Sequence, residues 1–243
     1  MSIRVNRKMF LAVLNEMGAV SPRNDACPIL QCVWIKAEDG HMKVRATDLE
    51  VHIERTIETE GGEEFCAAVD LRRLISVVKS ATGKDLDIAL DGSGFEISEG
   101  GSSTKLEGRD QVDFPAKPSL GQHTLVAVDM SRLYTAIDRV AFAQGKEEYR
   151  LLLHGVYIHF LDPATLRVVA CDGHRLAYYD LPILQNAGEP GVGQILAAPA
   201  VKAFLRGSKN AREIVTVHIS PDAIALASEG LEIFSKHMGL LFF

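Results

Sequence analysis

The most reactive string in the chain is Cys171-Asp172-Gly173-His174-Arg175-Leu176, which sets a thiol, a carboxylate, an imidazole and a guanidinium side by side. A thiolate next to an imidazole is the pairing of nucleophilic catalysis. Such pairs meet through space rather than along the chain, however, and neighbours on a strand project to opposite faces. His154 and His159, five apart on an expected strand, diverge in the same way and make a poor metal pair. The four cysteines, Cys27, Cys32, Cys66 and Cys171, show no CxxC spacing, so they read as reduced small hydrophobes rather than as a disulfide framework or zinc site. Gly188-Glu189-Pro190-Gly191-Val192-Gly193 lacks the strand-to-helix context of a dinucleotide loop, and no P-loop occurs. No catalytic residue, metal site or cofactor is expected.

The elements around these residues repeat. Asn6 to Asn15 matches Asp129 to Asp138, each a polar cap followed by an apolar stripe at helical spacing. Strand-like runs follow, Val44 to Asp48 in the first half and Val168 to Asp172 in the second. A second amphipathic helix, Asp70 to Lys79, corresponds to Pro199 to Lys209, with Asp as cap in one and Pro in the first turn of the other. Hairpins close each half, Leu86–Leu90 with Phe95–Ile97 and Ile214–Ile219 with Ala223–Leu226, at an offset of 129 (88 to 217). Alternating runs at Cys32–Ile35, Val51–Ile57, Gly155–Phe160 and Ala177–Leu181 fill the gaps, and Asp113 to Gly121, with two prolines, reads as the linker. The expected class is α+β, two repeated domains, residues 1–120 and 121–243, each of two helices backed by antiparallel sheet.

Charge is distributed unevenly. The net charge of −6 argues against whole-surface attraction to nucleic acid or anionic membrane. Yet Arg72, Arg73 and Lys79 share one arc of the second helix, opposite Leu71, Leu74, Ile75 and Val78. Lys202, Arg206 and Lys209 repeat the arrangement in the second half, at i, i+4 and i+7. The first helices add Arg7, Lys8, Arg132 and Arg139, while the acidic residues gather in strands and loops such as Glu58 to Glu64. No cluster of base-reading side chains accompanies them, so contact with DNA would be phosphate-directed and blind to sequence. With 47% hydrophobic and 24% charged residues the chain reads as globular. Apolar runs fall short of the roughly 18 to 20 residues of a membrane helix, and the start lacks a signal-type apolar stretch, so the cytoplasm is the expected location.

Pro28-Ile29-Leu30, Thr47-Asp48-Leu49-Glu50, Asp113-Phe114-Pro115 and above all Asp172-Gly173-His174-Arg175-Leu176-Ala177 resemble the bacterial sliding clamp, the beta subunit of DNA polymerase III. The resemblance implies a ring of repeated units with helices lining a DNA hole, a non-enzymatic tether for polymerase and clamp loader. It places Leu153, Cys171, Gly173, His174, Arg175 and Leu176 on one wall of a pocket for short peptides with an apolar Leu/Phe end, Cys171 replacing the usual Thr. It also places Arg23 and Arg150 among DNA-contacting residues, beside Arg72, Arg73, Lys79, Arg132, Lys202, Arg206 and Lys209 from the helix pattern.

Family members carry three domains, whereas this chain accounts for two and the third is expected to be absent. Helices are about 10 Å wide, so four domains give a bore of only about 15 Å and six give about 28 Å. Duplex DNA, roughly 20 Å across, passes only the second. The expectation is a head-to-tail homotrimer. The alternative is a truncated homologue that stays monomeric and binds clamp partners or the loader without encircling DNA. The tail Leu240-Leu241-Phe242-Phe243 resembles the apolar half of a clamp-binding peptide, or reads as a last edge strand.

Overall fold

Asn6, Asp70 and Asp129 each turn an extended strand into a helix by the same device. Their side-chain oxygens accept the backbone N–H three residues on, from Met9, Arg73 and Arg132 respectively, which satisfies one of the orphan donors of the first turn. In the computed structural model, which describes residues 2–22, 26–92, 94–109, 111–146 and 151–236, the chain forms two compact units. These are Met1–Leu49 with Ile53–Ala116, and Glu50–His52 with Lys117–Phe243.

The first half runs β1 (Ile3–Asn6), α1 (Arg7–Met17), β2 (Cys32–Glu38), β3 (His41–Thr47), β4 (Val51–Glu58), β5 (Phe65–Asp70), α2 (Leu71–Ser80), β6 (Asp85–Asp91), β7 (Gly94–Glu99) and β8 (Ser102–Arg109). The second runs β9 (Thr124–Asp129), α3 (Met130–Val140), β10 (Gly155–Asp162), β11 (Thr165–Cys171), β12 (Leu176–Pro182), β13 (Gln185–Ala187), β14 (Gly193–Ala197), α4 (Ala198–Gly207), β15 (Ile214–Ile219), β16 (Ala223–Ser228) and β17 (Leu231–Lys236). Apart from β13 the two lists match element for element. The separation is not constant: the caps Asn6 and Asp129 lie 123 apart, whereas β8 and β17 begin 129 apart. The extra residues enter in the loops, where insertions cost little.

In the first unit the strand order is β1-β6-β7-β8-β5-β2-β3-β4, antiparallel through its paired registers. The two halves of that sheet meet where Val69 faces Gly108 and Ala68 faces Arg109. Among the described residues of the second unit the corresponding strands form two ladders, β13-β9-β15-β16-β17 and β12-β11-β10-β14. Near the equivalent seam the Ala197 N–H donates to the Ser235 hydroxyl at 3.1 Å, while residues 237 and 238, the counterparts of Gly108 and Arg109, lie outside the described residues. Alternation delivers Ile3, Val5, Leu86, Ile88 and Phe95 to one core and Val126, Val128, Val215 and Val217 to the other. Helix stripes close them: Phe10, Leu14, Leu74 and Val78, and Leu133, Ile137, Val201 and Phe204, are all buried. Burying each such side chain stabilises by about 1.5–3 kcal/mol.

The proline-rich stretch is pinned at each end to its own unit. Phe114 is buried against Cys32, Ala68, Ile29 and Trp34, while Leu120 packs on Ala223, Ala225 and Phe234. Inside the first unit, buried Glu16 on α1 pairs with Arg55 on β4 at 2.7 Å. Burial pushes the Glu16 carboxyl up, against the pull of Arg55. No helix among the described residues is long and apolar enough to cross a membrane.

Candidate functional site

The helices present two faces of opposite character. On α2, Arg72, Arg73 and Lys79 are exposed while Leu71, Leu74 and Val78 are buried. On α4, Lys202 and Arg206 are exposed opposite Ala203 and Phe204, and Arg132 is exposed on α3. Lys209 departs from the expected arc. The helix ends at Gly207, where the Ser208 N–H closes on the Phe204 carbonyl at 3.0 Å, so Lys209 is exposed in the turn beyond rather than at i+7 on the helix. The missing side chain at Gly207 raises the cost of helix there, and the cap stops it two residues early. Arg7 is diverted as well, its Nε donating to the Gly83 carbonyl at 2.8 Å. Arg23 and Arg150 lie outside the described residues.

The Asp172 loop is built by one carboxylate. β11 ends at Cys171, and β12 begins at Leu176. Between them Asp172 accepts the N–H groups of His174 and Arg175, each at 3.0 Å, and the Arg175 Nε at 2.8 Å. Its own N–H donates to the Arg175 carbonyl at 3.2 Å. The reversal needs Gly173, whose φ of +91° is costly for any residue with a Cβ. Gly173 in turn donates its N–H to the Cys171 sulfur at 3.3 Å, which gives that thiol a structural use in the turn. The two backbone N–H donors, from His174 and then Arg175, hold the Asp172 carboxyl below the usual carboxylate range, with Arg175 adding to the shift.

A cavity of about 270 Å³ opens beside this loop, lined by Gln144, Gly145, Lys146, Leu153, Asp172, His174 and Arg175. Leu153 reaches it from a short 3-10 turn whose carbonyl accepts the Gly145 N–H at 2.8 Å. The approach is close: a Cβ on Gly145 would lie 3.0 Å from Leu153. Of the six pocket residues expected from sequence, Leu153, His174 and Arg175 line the cavity. Cys171, Gly173 and Leu176 are not among its lining residues: the first two belong to the loop's turn, and Leu176, 62% exposed, begins β12. Phe142, 61% exposed just past α3, carries the Arg175 guanidinium over its ring at 5.4 Å, a cation–π contact. Phe142, Gln144 and Lys146 were missing from the sequence reading. The role of Asp172 was legible in Asp-Gly-His-Arg, since an Asp that caps N–H groups two and three residues on is a local turn signature. Among the described residues no group of three or more metal-ligating side chains comes together.

Two units of paired helices on antiparallel sheet, with basic residues on the outer helix faces, define a DNA-clamp fold. The model for the N-terminal domain of the DNA polymerase III beta subunit matches residues 1–118, and that for its central domain matches residues 127–239. The beta sliding clamp of Caulobacter vibrioides (strain NA1000 / CB15N) is 30% identical over 251 residues, covering 97% of this chain and 65% of the relative. That of Chlamydia pneumoniae is 25% identical and is covered to 64%. Solved clamp structures superpose on the whole chain and 66% of their own length. They include the Bartonella birtlesii sliding clamp bound to griselimycin (TM-score 0.87, 27% identity) and the Caulobacter crescentus polymerase III beta subunit (0.86, 27%). The chain belongs to the bacterial beta sliding clamp family, and it spans about 65% of the length of the curated relatives it matches.

Proposed function

We propose that the chain is a replication processivity clamp, in which copies assemble head to tail into a closed ring around duplex DNA and hold polymerase and clamp loader through a peptide seated at the Asp172 loop. Catalysis has no part in this reading. The observation that carries it is the recurrence of exposed cations on matching helices: Arg72, Arg73 and Lys79 on α2, and Lys202 and Arg206 on α4. α2 and α4 carry no acidic residue, so a negative chain still presents a positive lining, which attracts phosphate without reading bases. Two units per chain and a bore wide enough for duplex call for six units, hence three copies, by the same helix-width estimate of about 10 Å.

The peptide reading rests on the cavity between Leu153 and the Asp172 loop, where Leu153 offers an apolar contact and Gln144, Lys146, His174 and Arg175 offer polar groups that orient an extended segment. Retention on circular duplex DNA, lost when the circle is linearised, tests encirclement. A native mass of three chains is expected in the same preparation. Equal retention on linear and circular DNA, or a monomer at high protein concentration, would remove the ring.

A further inference from the structure

Three contacts fasten the segment ahead of β9 to the second unit's sheet, on the face opposite buried Val215 and Val217. Lys117 pairs with Glu232 of β17, Leu120 packs on Ala223, Ala225 and Phe234, and the His123 ring meets that of His218 on β15 at 4.9 Å and 59°. The strand register explains the grouping. His218 lies opposite Ala225, and Ala225 opposite Phe234, so the three share one row across β15, β16 and β17. The ion pair and the apolar anchor are ordinary fastenings, whereas the third contact sets two imidazoles side by side.

Hydrogen bonds decide which nitrogen of each ring carries the proton. The Thr216 hydroxyl gives its single hydrogen to the Ala227 carbonyl at 3.0 Å, so it can only accept from the His218 Nε2 that lies 3.0 Å away. His123 Nδ1 stands 2.8 Å from the Gly121 carbonyl, which accepts and never donates. Neutral His218 therefore carries its proton on Nε2 and neutral His123 on Nδ1, which leaves lone pairs on His218 Nδ1 and His123 Nε2. Burial, and next the neighbouring His123, push the His218 pKa down while Glu232 pulls it up, so the His218 ring is neutral near pH 7.

We propose that His123 and His218 are the two protein ligands of a site for a divalent transition-metal ion of the Zn²⁺ class, which ties the segment ahead of β9 to β15. The site is independent of the ring reading. Each ring already has the outer partner of a metal-bound histidine, an oxygen that accepts its remaining N–H: the Thr216 hydroxyl for His218 and the Gly121 carbonyl for His123. The spacing fits as well. Imidazole nitrogens about 2.0–2.1 Å from one ion, at about 90–110° to each other, put ring centres about 4.5–5.2 Å apart, and these stand 4.9 Å apart. Neutral imidazole suits Zn²⁺, Ni²⁺ and Cu²⁺, whereas Mg²⁺ and Ca²⁺ take oxygen ligands. His123 also lines a cavity of about 570 Å³, so the coordination positions not taken by imidazole open to water. The charge of Glu232 is felt at His218 and adds to the attraction for a cation.

The test titrates zinc chloride into the metal-free full chain at neutral pH by calorimetry, comparing wild type with His123→Gln, His218→Gln and the double variant. Thermal midpoints without metal show that each variant is folded, and His123 is exposed, so its exchange leaves the core untouched. A wild-type site weakened about a hundredfold by either single change, and no further by the double, is expected of two ligands acting as one chelate. Affinity unmoved by His123→Gln in a folded variant, or losses that simply add across the two positions, overturns the site. Long-range proton–nitrogen correlation spectra of the imidazoles read the atoms themselves. Zn²⁺ should shift His218 Nδ1 and His123 Nε2, in rings that carry their protons on Nε2 and Nδ1 respectively before it is added. Zinc that moves only other histidines, or the opposite tautomers in the metal-free chain, overturns the proposal as well.

Discussion

Charge reversal of Arg73 and Lys202 separates the helix faces from the fold. Both side chains are exposed on helices whose opposite stripes, Leu74 and Val78 on α2 and Val201 and Phe204 on α4, are buried. Each exchange to Glu therefore changes stability by no more than about 0.5 kcal/mol. In a three-copy ring the pair recurs three times, turning six phosphate-facing cations into anions. Each lost phosphate contact lowers the slope of log affinity against log salt by about 0.9, so the ceiling is a fall of about 5. A slope lower by 5 means that the variant escapes about a thousandfold of the affinity loss that the wild type suffers between 50 and 200 mM salt. A ring that slides touches the backbone on some helices at a time, so a fall of about 2 to 5 is expected. The assay is binding to circular duplex across a salt series, with thermal midpoint and native mass as controls. A slope unchanged within about one unit, in a variant of normal mass and midpoint, would falsify the assignment of these faces to DNA.

Further outcomes follow from the Asp172 loop and from the Glu16–Arg55 pair. Asp172→Ala removes the acceptor for His174, Arg175 and its guanidinium, so binding of a Leu-Phe peptide should weaken at least about tenfold with the far-ultraviolet spectrum intact; unaltered binding would show that the loop does not need its carboxylate. Because that carboxyl is held below its ordinary value, its contribution is complete above the ordinary carboxylate range near 4 and is lost as pH falls through its lower folded value. Peptide affinity should be flat from pH 8 to about 5 on this account. Arg55→Met leaves Glu16 buried without its partner and should cost about 3 kcal/mol, while Glu16→Leu with Arg55→Met should cost much less than the two single changes together; strict additivity in a denaturation cycle would refute a coupled pair. The raised Glu16 value acts in the opposite sense to Asp172, favouring the folded state at acid pH and withdrawing that support as pH rises through its folded value.

Much of the local architecture was written in neighbouring residues. Asn6, Asp70 and Asp129 announced their helices because a cap is made with an N–H three residues away, and the apolar stripes of α1 to α4 are periodic in sequence. The Asp172 turn was legible for the same reason. Lys209 misled because its spacing fits a helix arc that the chain leaves after Gly207. β1, β5, β8, β9, β14 and β17 were not singled out, since short strands owe their stability to partners far along the chain.

By itself the sequence determined the α+β class, the repetition of one unit and the segregation of basic helices from acidic strands, all of which follow from side-chain periodicity and local capping. Tertiary structure decided which strands lie side by side, that the first unit joins its ladders through β5 and β8, that the Ala197 N–H of the second meets the Ser235 hydroxyl, and that Phe142 and Lys146 gather with Leu153 around the Asp172 loop. Those outcomes depend on hydrogen bonds and packing between residues tens of positions apart, whose pairing is settled only when the whole unit closes on its core.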